Sequence, residues 1–119
     1  MATLTRDQIL GADDLKRELV AVPEWGGDVY VRVMTGRERG EFEAEFAEHK
    51  GSPAALKGVR ERTVAKTACD EKGSRIFTDD DAAALGGKSA GALDRLFDKA
   101  LELARIGADE ADLEAEAKN

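Results

Sequence analysis

Carboxylates that could bind a divalent cation cluster near the middle of the chain. Asp70 and Glu71 precede a run of three aspartates at 79–81. An EF-hand calcium loop requires Gly at its sixth position and a bidentate Glu at its twelfth. Counted from the first aspartate of the run, both positions hold alanine, Ala84 and Ala90. We therefore expect the aspartates to occupy the first turn of a helix, where carboxylates interact favourably with the helix dipole.

Residues typical of nucleophilic or acid–base catalysis are sparse. The single histidine, His49, has no Ser or Cys nucleophile near it and is predicted to be a surface residue at a helix C-terminus. The single cysteine, Cys69, is expected to be a small buried hydrophobic residue without a reactive thiolate. The segment "GGKS" at 86–89 lacks the glycine spacing and the preceding strand of a phosphate-binding loop. These observations predict a protein that is not an enzyme and that binds no cofactor and no metal.

Composition indicates one domain with a small core. The chain has 119 residues, of which 36% are charged and 5% aromatic, so its core should be mostly aliphatic. The formal net charge of −7 disfavours nucleic acid as a partner, because phosphate binding needs clustered Lys and Arg. No window reaches the roughly 18 apolar residues of a membrane span, and the first residues lack the pattern of a signal peptide. We therefore expect neither nucleic-acid nor membrane binding.

The clearest β signal lies between Glu18 and Met34. Alternating β-branched residues flank "WGGD", which tolerates the positive φ of a tight turn. A two-residue turn at either Gly26-Gly27 or Trp25-Gly26 leaves the valines on one face, which we expect to pack against helices. Pro23 favours an edge strand, since it cannot donate to a ladder. The opposite face is predicted to carry Leu19, Pro23, Trp25, Tyr30 and Met34.

Two roles are open for this opposite face. A helix could cover it, in which case Trp25 is a core residue, since tryptophan is usually well buried. Alternatively, the face is exposed and binds a protein partner. In that case the site also includes the Phe42 and Phe46 stripe of the following helix. The candidate partner-binding residues are therefore Pro23, Trp25, Tyr30, Met34, Phe42 and Phe46.

Helix-start patterns recur in the first half of the chain. A Thr followed three residues later by Gln or Glu forms a capping box, and such pairs begin at Thr5 and Thr35. The first predicts a short helix that ends at Gly11, and the second predicts a helix from 36 to 49. Ser and Pro at 52 and 53 predict a further helix running from 53 to 69.

The second half of the chain contains the strongest helical pattern. Apolar residues recur at i, i+3, i+4 and i+7 from Ser89 to Ile106, with Gly107 as the predicted stop. Before it we expect a turn, a short extended "RIF" segment at 75–77 and a brief helix after Thr78. The acidic, Ala-rich tail at 108–119 predicts frayed helix or disorder. The fold class is α+β: one domain over 1–107, with a β-hairpin that the "RIF" segment could extend, packed with three to four helices.

Four segments, in order, carry a resemblance to a known family. "LTRDQIL", "VPEWGGDVYVRVMTGRERGEFE", "DEKGSRIFTDDD" and "LGGKSAGALDRLFDKALEL" together resemble the tail assembly chaperones of long-tailed bacteriophages along nearly the whole chain. The resemblance implies a non-virion assembly factor in the host bacterial cytoplasm. It also implies binding to the tape measure protein and help in recruiting major tail tube subunits. Independently of the resemblance, the small core indicated by the composition leaves self-association open as a further interaction. A structural tail or head–tail joining component that stays in the virion is the alternative.

Overall fold

A three-stranded antiparallel sheet, with the longest helix packed across one face, forms the body of the protein. The computed structural model describes residues 3–48 and 57–105. The strands, in chain order, are β1 Arg17–Val22, β2 Gly27–Arg32 and β3 Ala68–Cys69, and the spatial order is the same. The helices are α1 Arg6–Leu10, α2 Gly36–Glu48, α3 Val59–Thr67, α4 Ala82–Leu85 and α5 Ala90–Ala104, with 3-10 turns at Pro23–Trp25 and Asp79–Asp81. The architecture confirms the α+β fold class.

The turn between β1 and β2 is longer than the sequence predicts. Val22 pairs with Gly27, so four residues rather than two connect the strands, and Gly26 closes the turn in the left-handed conformation with φ 72°. The pairing of Leu19 with Tyr30 consequently differs from both predicted registers. The differences are even numbers of residues, and an even shift keeps each side chain on its face of the sheet. The expected valine face is therefore preserved, although the predicted two-residue turn is wrong.

The third strand comes from a different segment than expected. Ala68 and Cys69 pair with β2, whereas the "RIF" segment contributes only an isolated bridge from Arg75 to Cys69. The predicted helix over 53–69 is also shorter among the described residues, because Gly58 at φ 81° interrupts the helical conformation just before Val59. Ala68 and Cys69, the last two residues of the predicted helix, are part of the sheet instead, because they pair with β2. Residues 49–56, including His49 and Pro53, lie outside the described residues.

Helix starts follow the predicted capping patterns. In α1, Thr5 Oγ1 accepts a hydrogen bond from the Gln8 N–H at 3.2 Å, and Gln8 Oε1 accepts from the Thr5 N–H at 2.9 Å. Ser89 Oγ accepts from the backbone at the start of α5. Such bonds satisfy N–H groups that have no partner within the helix. The short N-terminal helix and the start of the main helix are therefore confirmed.

The C-terminal end of α5 differs from the prediction. The helix ends at Ala104, and Arg105 adopts the left-handed conformation with φ 60° that commonly terminates helices. Arg39 of α2 donates a hydrogen bond of 2.8 Å to the Ala104 carbonyl, which has no partner within the helix. Gly107, the predicted stop, and the tail at 108–119 lie outside the described residues.

The core consists of two adjoining clusters that α5 connects. The main cluster joins the valine face of the sheet to α3, α4 and α5, and contains Val22, Val31, Val64, Ala65, Ala68, Leu85, Ala92, Leu93, Leu96 and Ala100. The second cluster contains Met34, Phe42, Val59 and Ala104. Phe97 of α5 packs against both clusters. The described core is small and mostly aliphatic, and α5 forms its main wall, as the sequence predicts.

The main cluster predicts a large difference between two leucine truncations. Leu96→Ala should lower the free energy of unfolding by about 2 to 5 kcal/mol, because Leu96 is fully buried and its removal leaves a cavity. Leu10→Ala, at a side chain that is 68% exposed, is the matched control and should change it by less than about 0.5 kcal/mol. Urea unfolding followed by circular dichroism measures both. Equal effects of the two substitutions would contradict the assignment of the core.

Candidate partner-binding surface

Three of the six candidate partner-binding residues support the core. Trp25 is half-buried and packs against the main cluster, because the longer turn takes it out of the strand alternation. Met34 and Phe42 are buried together in the second cluster. Met34 follows the end of β2, so the alternation of the strand no longer determines its side. The predicted single face containing Trp25, Tyr30 and Met34 is therefore wrong.

The other candidates lie apart from this group. Pro23 is exposed at the turn, and Tyr30 is half-buried on the face of the sheet opposite the valines. Phe46 belongs to α2, but its side chain is not among those that the structure describes. Among the candidates whose side chains the structure describes, Pro23 and Tyr30 are thus the accessible ones.

Leu19 is the main apolar residue that the candidate set omitted. It pairs with Tyr30 across β1 and β2, and 53% of its surface is exposed. The alternation of the strand placed Leu19 on this face, so a signal was present in the sequence. Together with Ala21 and Asp28, which are also exposed, this pair forms what we call the outer face of the sheet.

A buried ion pair closes one end of the outer face. Arg32, at the end of β2, is 4% exposed, and its guanidinium donates two hydrogen bonds of 2.9 Å to the Glu38 carboxylate. Glu38 also accepts from the Thr35 N–H at 3.0 Å, while Thr35 Oγ1 accepts from the Glu38 N–H at 3.1 Å. The predicted capping box at Thr35 is thus confirmed. The carboxylate has a second function that the sequence did not indicate, since it neutralises a buried arginine.

The environment of Glu38 keeps it ionised. Burial is the largest influence on this carboxyl and by itself raises its pKa. Hydrogen bonds from Arg32 and from the Thr35 backbone, together with the Arg32 charge, more than offset burial and lower the pKa below the ordinary value of 4.5. The negative charge is consequently present at neutral pH, where it compensates the arginine.

Cys69 lies beside this ion pair on the same side of the sheet. It pairs with Tyr30 in the ladder and is 3% exposed. Burial raises the pKa of its thiol, and nearby Arg32 and Arg17 only partly oppose that effect. A buried thiol with a raised pKa is mostly protonated at neutral pH and is therefore a poor nucleophile. The prediction of a small buried hydrophobic residue is confirmed.

β1 is an edge strand with unpaired main-chain groups. The Val33 N–H donates to the Lys16 carbonyl at 2.7 Å, which identifies residues 16 and 33 as a hydrogen-bonded pair. Hydrogen-bonded pairs alternate along an antiparallel ladder, so the N–H and C=O groups of Leu19 and Ala21 point away from β2. No strand among the described residues pairs with this edge.

An open groove of about 530 Å³ continues the outer face beyond the start of β1. It is lined by Asp13, Asp14, Leu15, Lys16, Arg17, Tyr30 and Glu71. Arg17 Nε donates to the Glu71 backbone carbonyl at 2.8 Å, which ties β1 to the loop after β3. Asp13, Asp14 and Glu71 are exposed carboxylates at this groove.

The segment before β1 exposes further apolar side chains. Leu4, Ile9 and Leu10 are all more than half exposed, and α1 contains no buried residue. With Leu19, these make four of the five large hydrophobic residues that are exposed in the described part of the chain; the fifth is Ile76. The accessible apolar surface is therefore concentrated between residues 4 and 19.

The helical side of the molecule is polar in contrast. Ion pairs join Lys66 to Glu41 and Arg62 to Glu45, so that α3 and α2 are held together at their surfaces. Arg60 Nε lies 2.7 Å from the Asp94 carboxylate, which joins α3 to α5. A surface covered by paired charges offers little apolar area to a partner.

The acidic run at 79–81 is part of a helix start. The Asp81 carboxylate accepts from the Thr78 N–H at 2.8 Å, and Arg75 donates to Asp79 at 2.8 Å. The hydrogen bond and the charge of Arg75 lower the pKa of Asp79. These geometries confirm the first-turn interpretation.

Over residues 3–48 and 57–105, no cluster of His, Cys, Asp and Glu has the arrangement of a metal site, and no helix is long and apolar enough to cross a membrane.

The fold and this surface define a class: a small α+β protein with an open sheet edge flanked by exposed apolar side chains. The model of the phage tail assembly chaperone family matches residues 6–118, so the chain belongs to that family. These proteins are assembly factors rather than enzymes. The chain also resembles the structure of the bacteriophage HK97 tail assembly chaperone, with a TM-score of 0.60 and 20% identity over 82% of this chain and 90% of that one. The similarity supports the fold. No curated protein matches the sequence.

The buried ion pair predicts an acid-sensitive contribution to stability. Because the folded pKa of Glu38 is lowered, its contribution is fully present above the unfolded value and is lost as pH falls through the folded pKa. Glu38→Gln should lower the free energy of unfolding at pH 7 by about 3 to 5 kcal/mol, since it leaves the buried Arg32 without a counter-charge. The variant should also lose less stability than the wild type between neutral pH and acid. Denaturant titrations at several pH values measure both effects.

Glu43→Gln is the matched control for this substitution. Glu43 lies on the same helix and pairs with Arg39 at 3.6 Å, but its side chain is 62% exposed. Such pairs contribute at most about 1 kcal/mol, so this variant should retain nearly all stability and the acid sensitivity of the wild type. Equal losses in the two variants would show that the Arg32–Glu38 pair has no special role.

Proposed function

We propose that this chain binds the tape measure protein of its phage, keeps it in solution and helps recruit major tail tube subunits. It would act in the host bacterial cytoplasm and be absent from the finished virion. Membership of the tail assembly chaperone family over residues 6–118 is the observation that carries the proposal. A second copy of the chain is a further proposed partner, and the proposal includes neither nucleic acid nor membrane.

The distribution of apolar side chains suits the binding of an aggregation-prone client. Leu4, Ile9, Leu10 and Leu19 are exposed, while the core beneath the sheet is formed by other residues. Apolar surface on a client can therefore be covered without opening the domain. The net charge of −7 favours solubility of the protein and of what it binds.

Among the original candidates, the accessible residues are the proposed contacts. Tyr30 on the outer face and Pro23 at the turn contribute, and Leu19 opposite Tyr30 is a further proposed contact. Trp25, Met34 and Phe42 act indirectly, because they pack in the core that supports this surface. Phe46 stays a proposed contact on α2.

Co-expression with the tape measure protein tests the client assignment. Expressed alone, the tape measure protein should collect in the insoluble fraction, and with this chain most of it should stay in the supernatant and co-purify. The structural reason is that exposed apolar segments of the client become covered. Sedimentation followed by pull-down measures both. A tape measure protein that stays insoluble and unbound in the presence of this chain would overturn the proposal.

Mass spectrometry of purified virions distinguishes the chaperone from a structural tail component. The chain should be missing from mature particles but present in lysates during assembly. Its stoichiometric presence in particles would instead favour a structural tail or head–tail joining role.

A further inference from the structure

The open edge of β1 specifies the chemistry of what can bind it. The N–H and C=O groups of Leu19 and Ala21 point outward, and an extended backbone is the structure that pairs with such a row. Edge strands are usually protected by central charges, proline or a bulge. In β1, the two central residues whose main-chain groups point outward are Leu19 and Ala21, and neither side chain is charged.

We propose that an extended segment of the client chain adds to β1 as a fourth, antiparallel strand of the sheet. This inference rests on the proposed function and names the binding mode of the client. The added strand places an apolar side chain beside Leu19, on the row that Leu19 shares with Tyr30. Cross-strand apolar neighbours of this kind stabilise sheets, and their alternation selects clients with apolar residues at every second position.

The groove before β1 defines the charge that the client carries at one end of its added strand. Asp13 and Asp14 are exposed there without a salt bridge to any described residue. With Glu71, the carboxylates of the groove outnumber its two cations, exposed Lys16 and Arg17, and Arg17 is engaged with the Glu71 carbonyl. An antiparallel strand ends at this groove, because its C-terminal end lies beside the N-terminal end of β1. The complementary client therefore carries a basic residue just after its apolar alternation.

Charge also argues against a second copy of β1 as the occupant. Symmetric antiparallel pairing of two β1 strands about Leu19 would bring the turn that carries Glu24 toward Asp14 of the other copy. Glu24 is already paired with Arg95 at 2.9 and 3.2 Å, so a second copy would bring Asp14 a carboxylate and no free cation. A basic client residue supplies the cation that the second copy lacks, and it favours the pairing.

A matched pair of lysine substitutions tests the edge in the full chain co-expressed with the tape measure protein. Leu19→Lys places a charge at the edge, and Ile76→Lys makes the same change at a side chain with similar exposure, 53% against 49%. Leu19→Lys should reduce recovery of the client in a pull-down about tenfold or more, while Ile76→Lys should leave it unchanged.

Ala21→Pro tests the main-chain contribution independently of side-chain charge. The substitution removes an outward N–H group without removing a hydrogen bond to β2, so the variant should fold, and thermal unfolding checks this. It should bind the client several-fold to tenfold more weakly. In wild type, amide hydrogen exchange at Leu19 and Ala21 should slow at least tenfold on client binding. Normal binding by Leu19→Lys and Ala21→Pro, or unchanged exchange in the wild-type complex, overturns the edge proposal while the chaperone function stands.

Two other outcomes concern the occupant. If the wild-type chain fails to bind the tape measure protein, the proposed function and the edge proposal both fall. If Leu19 and Ala21 are already protected in the isolated chain, and lose that protection on dilution, a second copy occupies the edge and the client proposal is wrong.

The carboxylates at the groove have their own test. The double substitution Asp13→Asn and Asp14→Asn should weaken client binding several-fold at low salt, with the difference shrinking as salt screens the interaction. Asp80→Asn, at an exposed carboxylate in the 79–81 turn, is the control and should bind as wild type. Unchanged affinity and salt dependence in the double variant would overturn the basic client residue at this groove.

Discussion

The buried pair of Arg32 and Glu38 is the constraint on which the arrangement of sheet and helices depends. It joins the last residue of β2 to the first turn of α2 through two hydrogen bonds of 2.9 Å. A buried arginine is tolerated only with a counter-charge and satisfied donors, so the position of one element determines that of the other. With α2 held there, Phe42 covers Met34 and Val59 in the second cluster.

Stability and accessible apolar surface are separated in this molecule. The valine face of the sheet and the apolar stripe of α5 form the main cluster, while the outer face and the segment before β1 expose leucine and isoleucine side chains. Burial on one face leaves the other available, since successive side chains of a strand point to opposite sides. The apolar side chains exposed on the outer face and before β1 therefore lie outside the main cluster that stabilises the fold.

Several local features could be predicted because they depend on residues close in sequence. The capping at Thr5 and Thr35 and the apolar stripe of α5 follow from spacing within one helix. The candidate surface is less predictable. The length of the turn, set by how the two strands pair, packs half-buried Trp25 against the main cluster instead of leaving it on the outer face.

By itself, the sequence determined the α+β class, the valine face and the main helix, because helical and strand periodicities are local properties of the chain. Tertiary structure decided that Ala68 and Cys69, rather than the "RIF" segment, form the third strand, since pairing with β2 overrides helix propensity at those two residues. It also decided that Met34 and Phe42 are buried while Leu19 stays exposed. Exposure depends on which elements meet in space, and residue types and spacing do not contain that information.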